Sequence, residues 1–229
     1  MTARWLLPAV ALGGAALGAG GVYAVGKASG GAMVREYLLA NPEVIPEAME
    51  RLQRREQARA VAKAGGGVAK PYPGAFMGNP DGDVTLVEYY DYNCGICRAS
   101  LPVVRELIRR DPKLKVVFRE MPVLAPSSRD AALASLAAAR AGRFAAFHNA
   151  LFGRGPVTSD SIAAAARTAG VALPGPDRTA DAEIERNLRT ANELGITGVP
   201  SWVVGDQVFV GGHGVERLRQ AIAEVRRGA

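Results

Sequence analysis

The chain has 229 residues, a formal net charge of +6 and 48% hydrophobic residues, enough length for a sizeable core. Two cysteines and two histidines are present in all, which excludes a disulfide-stapled scaffold and argues against a four-ligand zinc site. The positive excess is spread over 51–59, 105–115 and 217–227 without interleaved aromatics, so nucleic acid is not an expected partner.

The first element is the uncharged, Gly- and Ala-rich run from Trp5 to Val25, preceded by Arg4. About 20 apolar residues can span a bilayer as a helix. The same run also fits a secretory signal, with Val22-Tyr23-Ala24 as a cleavage site. As anchor or as signal, residues 1–27 are expected to carry the remainder out of the cytosol, which places it in the periplasm. The cysteine usage agrees, because thiol exchange outside the cytosol chiefly makes and reshuffles disulfides.

Residues 28–64 read as a helical arm. Asn41-Pro42-Glu43 offers a capping side chain, a proline for the first turn and an acid near the positive end, so a helix is expected to start there. Ile45, Ala48, Met49 and Leu52 then form one apolar stripe, and Arg54 to Arg59 continue as a solvated charged helix. So short a segment cannot bury its own stripe. Residues 33–63 are therefore expected to self-associate or to dock on the domain that follows. Gly65 to Gly74 is Gly- and Pro-rich and reads as a linker over 65–73, flexible in its first half and stiffer in its second.

The remaining segment, 74–229, carries the chemistry. Val84 to Tyr90 is dense in β-branched and aromatic residues and predicts a buried strand. Cys94-Gly95-Ile96-Cys97 follows, and then a helix over Arg98–Arg110 in which Pro102 should introduce a bend. A strand running into C-x-x-C at a helix N-terminus is a redox arrangement. The free N–H groups and positive end of the helix favour a thiolate, the form that attacks disulfides. Cys94 would attack and Cys97, one turn on, would resolve the mixed disulfide. A structural bridge across four residues would remove little chain entropy. A copper(I) site on the two soft thiolates is the chemical alternative.

Glu88 lies six residues before Cys94. Period-two alternation leaves two placements open, buried toward the active-site helix, where it could shuttle a proton to Cys97, or on the opposite face. Helices are expected over Ser128–Ala141, Arg143–Phe152, Ser159–Ala169 and Asp177–Leu194, broken by Gly and Pro. His148 and His213 read as structural polar groups. Pro200 marks the entry to a strand beginning Ser201-Trp202, and the Val199-Pro200 bond is trans on spacing alone. The chain has no glycine-rich phosphate loop, no H-E-x-x-H and no internal repeat, so neither an organic cofactor nor a resident metal is expected.

Three pieces closely resemble the DsbA-like branch of the thioredoxin superfamily: Gly78 to Cys97, Gly195 to Pro200, and Gln207 to Gly212. The resemblance implies an α/β thioredoxin fold with an inserted helical subdomain over about 122–194, preceded by the helical arm. It implies a protein thiol–disulfide oxidoreductase with Cys94, Cys97 and Glu88 as catalytic residues. Pro200 would be cis, Val199 would pair with substrate in β-strand fashion, and Gly95 and Ile96 would also face substrate. The implied partners are exported proteins with thiols or disulfides and a membrane redox partner. Val34 to Met49 resembles the N-terminal oligomerisation region of ScsC-type proteins, with Pro46 expected to interrupt the helix. Ile96 stands where strongly oxidising members carry a histidine that supports the attacking thiolate, so this disulfide is expected to be less oxidising.

Overall fold

The computed structural model describes residues 31–228, so the apolar run at 5–25 lies outside the described residues. The chain divides into two compact units, one ending at Gln53 and the other spanning Arg54–Ala229.

In the first unit a helix over 31–40, here α1, ends at Asn41, and α2 (Val44–Ala64) starts there and runs on into the second unit. The expected capping role of Asn41 is reversed. Its Nδ2 and its main-chain N–H both donate to the Tyr37 carbonyl, each at 2.9 Å, closing α1 rather than opening α2. Pro46 does not interrupt α2, because it sits in the first turn, where a missing N–H costs no intrahelical bond. The stripe is uncovered: Ile45, Met49 and Leu52 are 47%, 66% and 46% exposed, and α1 adds the exposed Met33, Val34, Tyr37 and Leu39.

The second unit is built on a five-stranded sheet. The strands are β1 (Phe76–Gly78), β2 (Val84–Tyr90), β3 (Leu114–Glu120), β4 (Ser201–Val204) and β5 (Gln207–Val210), in the order β1-β3-β2-β4-β5. β2 and β3 are parallel, joined by α3 (Gly95–Arg110), and the other pairings are antiparallel. α3 is continuous through Pro102, whose missing N–H leaves the Arg98 carbonyl without its helical donor. Four helices lie between β3 and β4: α4 (Pro126–Arg140), α5 (Phe144–Phe152), α6 (Ser159–Ala169) and α7 (Arg178–Glu193). This is the expected insertion, and α8 (Val215–Gly228) closes the fold. β1 and β3 have no counterpart among the expected elements. The apolar centre of β3, Val116-Val117-Phe118, is bracketed by Lys113, Lys115, Arg119 and Glu120, which hide a strand buried on both faces.

Alternation along β2 separates two cores. Leu86 and Tyr90 face a large cluster with Cys94, Cys97, Phe118, Trp202 and the insertion helices. Val87 and Tyr89 face a smaller one with Val117, Ala191, Ile196 and Val203, and Ala60, Val61 and Ala64 of α2 pack against it.

Part of the segment read as a linker, flexible in its first half and stiffer in its second, is tied to the sheet. Val68 is buried. Arg119, on β3, donates to the carbonyls of Val68 (3.0 Å), Lys70 (2.7 Å) and Gly67, and to Glu183 (3.2 Å) and Asn187 (2.6 Å) of α7. A guanidinium spends all its donors here because a buried charge left unpaired is costly. Arg119→Ala is expected to destabilise the domain by about 3 kcal/mol or more in urea unfolding and to expose the Gly67–Lys70 segment to hydrogen exchange. A loss below about 1 kcal/mol would put Arg119 among unremarkable surface pairs.

Candidate active site

β2 ends at Tyr90, and a tight turn of Asp91, Tyr92 and Asn93 delivers Cys94 as the N-cap of α3. The Cys94 sulfur accepts the Cys97 N–H at 3.2 Å, as a capping side chain does. Its own S–H points to the Val199 carbonyl at 3.5 Å. The Val199-Pro200 bond is cis, as the resemblance implied and spacing alone did not. Both cysteines are unpaired thiols and both are buried. Gly95 and Ile96 are exposed, so the dipeptide and the Val199 main chain border the Cys94 sulfur. Gly212, in the loop before α8, lies so close under the dipeptide that a Cβ there would sit 2.8 Å from Ile96 Cγ2.

Glu88 takes the buried one of its two placements. It is 3% exposed on the β2 face that packs on α3, paired in register with Phe118 on one side and Trp202 on the other. Burial drives its pKa well above the ordinary carboxyl range. Cys97 is pushed far up as well, first by burial, then by its bond with Cys94, with the Glu88 charge adding to it, while the main chain of Asp91 works to lower it. A thiol so placed holds its proton firmly, and Glu88 is a buried carboxyl whose charge acts on it.

Reading from sequence missed the polar groups behind the site. Asp91, 1% exposed, accepts the N–H groups of Val123 (2.8 Å), Leu124 (2.9 Å) and Asn93 (2.8 Å) and the Ser128 hydroxyl (2.7 Å). An aspartate two residues before an asparagine at the end of a strand is a turn signal that could have found it. Further in, Tyr90 donates to Glu120, Tyr92 donates to Ser135 at 2.9 Å, and the Tyr92 oxygen lies 3.0 Å from His148 Nδ1. Aromatic rings of Tyr90, Phe118, Phe144 and Phe152 enclose His148, in keeping with its expected structural role. His213 is half-buried beside Phe209. Among the described residues no group of three or more His, Cys, Asp or Glu is placed to hold a metal ion, and no helix is long and apolar enough to cross a membrane.

The DSBA-like thioredoxin domain model matches residues 85–223. The chain belongs to the DSBA-like thioredoxin family. Its domain is that of a thiol–disulfide oxidoreductase. A second model, the copper resistance protein ScsC N-terminal domain, matches residues 29–59. A thioredoxin-like oxidoreductase from Silicibacter pomeroyi DSS-3 is similar at 36% identity, covering 67% of this chain and 92% of that one, with a TM-score of 0.63. Proteus mirabilis ScsC in a transitional conformation is 26% identical, covers 90% of this chain and 99% of its own, and has a TM-score of 0.68. The chain also matches the Na(+)/H(+) antiporter NhaA 1 of Salinispora arenicola (strain CNS-205) at 26% identity over 159 residues, spanning 66% of this chain but 24% of the antiporter.

The buried ionisable groups set the pH dependence of stability. Glu120 is raised by burial to about 8 and Glu88 moves the same way, so their contribution is full below 4.5 and is lost as pH rises toward 8. His148 is lowered by burial to about 3, so its contribution is full above 6.5 and is lost as pH falls toward 3. Urea unfolding should therefore give a maximum at about pH 5 to 6. Glu120→Gln should flatten the alkaline limb, and an unchanged limb would remove Glu120 as its source.

Proposed function

We propose that this protein exchanges thiols and disulfides with exported proteins outside the cytosol. The observation that carries this reading is the Cys94 thiol, capping α3 and aimed at the Val199 carbonyl beside a cis proline. Cys94 attacks, or is attacked by, the partner sulfur, and Cys97 then displaces the partner by attacking Cys94. Glu88 takes the Cys97 proton as that thiol becomes nucleophilic and returns it in the reverse direction. An extended substrate segment lies along the Val199-Pro200 main chain and over Gly95 and Ile96. The uncharged run at 5–25 supports export or anchoring, and recycling then needs a membrane redox partner.

The arm at 28–64 serves self-association through residues 33–63, supported by the uncovered stripe and the ScsC-type match. Several sites on one hub suit reshuffling of wrong disulfides, and the isoleucine at 96 suits a pair less oxidising than the histidine-bearing members. The copper-resistance description of the matched arm keeps copper(I) on the two thiolates as the second reading.

Cys97→Ser should trap partner proteins as mixed disulfides on Cys94, whereas a copper carrier would trap none. In glutathione buffers the Cys94–Cys97 potential should fall between that of an oxidant near −120 mV and that of a reductant near −270 mV, roughly in the isomerase range. Glu88→Gln should slow release of the mixed disulfide by about a hundredfold and remove the rise of that rate with pH. Release at the wild-type rate would take Glu88 out of the mechanism. Light scattering on a chain starting at residue 31 should give more than a monomer mass, and a monomer would end the self-association reading.

A further inference from the structure

Asp91 is the residue whose main chain meets both cysteines. Its carbonyl accepts the Cys94 N–H at 3.0 Å, and its backbone acts on the Cys97 sulfur. Its side chain is anchored elsewhere. The carboxylate, 1% exposed, takes four donors and no cation: the Asn93 N–H and Ser128 hydroxyl on Oδ1, the Val123 and Leu124 N–H groups on Oδ2. Asn93 adds a second tie, its Nδ2 donating to the Ser127 (3.1 Å) and Ser128 (2.9 Å) hydroxyls. The Ser128 hydroxyl also accepts the Ala125 N–H at 3.2 Å, so the start of α4 is part of the same clasp.

A buried carboxylate is expensive, and four hydrogen bonds offset that cost without a salt bridge. Such a group fixes the main chain it belongs to, because any shift of Asp91 would break several charge-assisted bonds together. The bonds join the turn that presents the dithiol to the first residues of the helical insertion.

Resting on the exchange reading above, we propose that Asp91 is a positioning residue for the dithiol, its carboxylate clasp holding the turn that keeps Cys97 in range of Cys94. The clasp works through effective concentration. Closing the internal disulfide from a Cys94–glutathione mixed disulfide is an intramolecular attack by the Cys97 thiolate, which forms the Cys94–Cys97 bond, breaks the Cys94–glutathione bond and releases glutathione thiolate. Its equilibrium and rate depend on how tightly the two sulfurs are held together. Asp91→Asn keeps one acceptor oxygen but turns an amide donor toward two N–H donors. That loosening of the turn favours the open dithiol. Ser128→Ala keeps the charge and loosens one bond of the clasp, so it isolates the positioning part.

The test is equilibration of the full chain in glutathione buffers, with acid quench and mass spectrometry of three species: dithiol, internal disulfide and glutathione mixed disulfide. Asp91→Asn should lower the ratio of internal disulfide to dithiol by about threefold or more and raise the trapped mixed disulfide. Ser128→Ala should move both in the same direction by a smaller factor. Wild-type ratios in a folded Asp91→Asn and in Ser128→Ala would leave Asp91 a purely structural residue and overturn the proposal. If Asp91→Asn does not fold, Ser128→Ala alone decides. A wild-type chain that forms no mixed or internal disulfide in any buffer would instead overturn the exchange reading on which the proposal rests.

Discussion

Sulfur chemistry in this fold runs against the cost of burying charge. The Cys97 thiol is 1% exposed and backed by apolar side chains, so burial disfavours its thiolate. The surrounding structure answers that constraint. A second ionisable group, Glu88, is buried on the β2 face toward α3, and the same desolvation drives its pKa well above the ordinary carboxyl range. One proton can then be shared between two groups that neither the sheet nor the helix lets into water. The other buried acid, Glu120, is treated differently. It accepts a hydrogen bond from Tyr90, which ties the ends of β2 and β3 together.

The sheet order explains why so few residues suffice. β2 is central, flanked by β3 and β4, and it ends at the turn that feeds Cys94 onto α3. β4 begins at Ser201, one residue after the cis proline, and its antiparallel pairing with β2 sets Ser201 opposite Tyr89. The thiol and the proline loop therefore meet because two neighbouring strands reach the same end of the sheet from opposite directions in the chain. On the opposite face, Arg119 uses the same strand layer to hold the root of the arm.

Much of this was legible in the residues. β2 occupies the expected Val84–Tyr90, α6 the expected Ser159–Ala169, and Arg143 and Asp177 fall just outside helices as flanking residues rather than inside them. These segments announce themselves by local pattern. What escaped was long-range. β3 is buried on both faces, so it has no alternation, and its ends carry charges that find partners far along the chain. The glycines and prolines of 65–73 look like a linker because no local signal reveals a guanidinium donating to their carbonyls from β3. Asn41 has the chemistry of a cap for either neighbour, and the carbonyl it chose belongs to the helix before it. Asp91 escaped for much the same reason: apart from the neighbouring Asn93, its partners lie 32 to 37 positions away. Glu88 is the intermediate case, since alternation offered two faces and packing on α3 selected one.

The contact between Gly212 and Ile96 makes the redox dipeptide a two-segment trait. A Cβ at 212 would sit 2.8 Å from Ile96 Cγ2, so one of the two side chains would have to shift. Grafting a dipeptide from a more oxidising relative therefore carries a hidden second position. Variation in the C-x-x-C pair and variation in the 211–214 loop should be inherited, and engineered, as one unit.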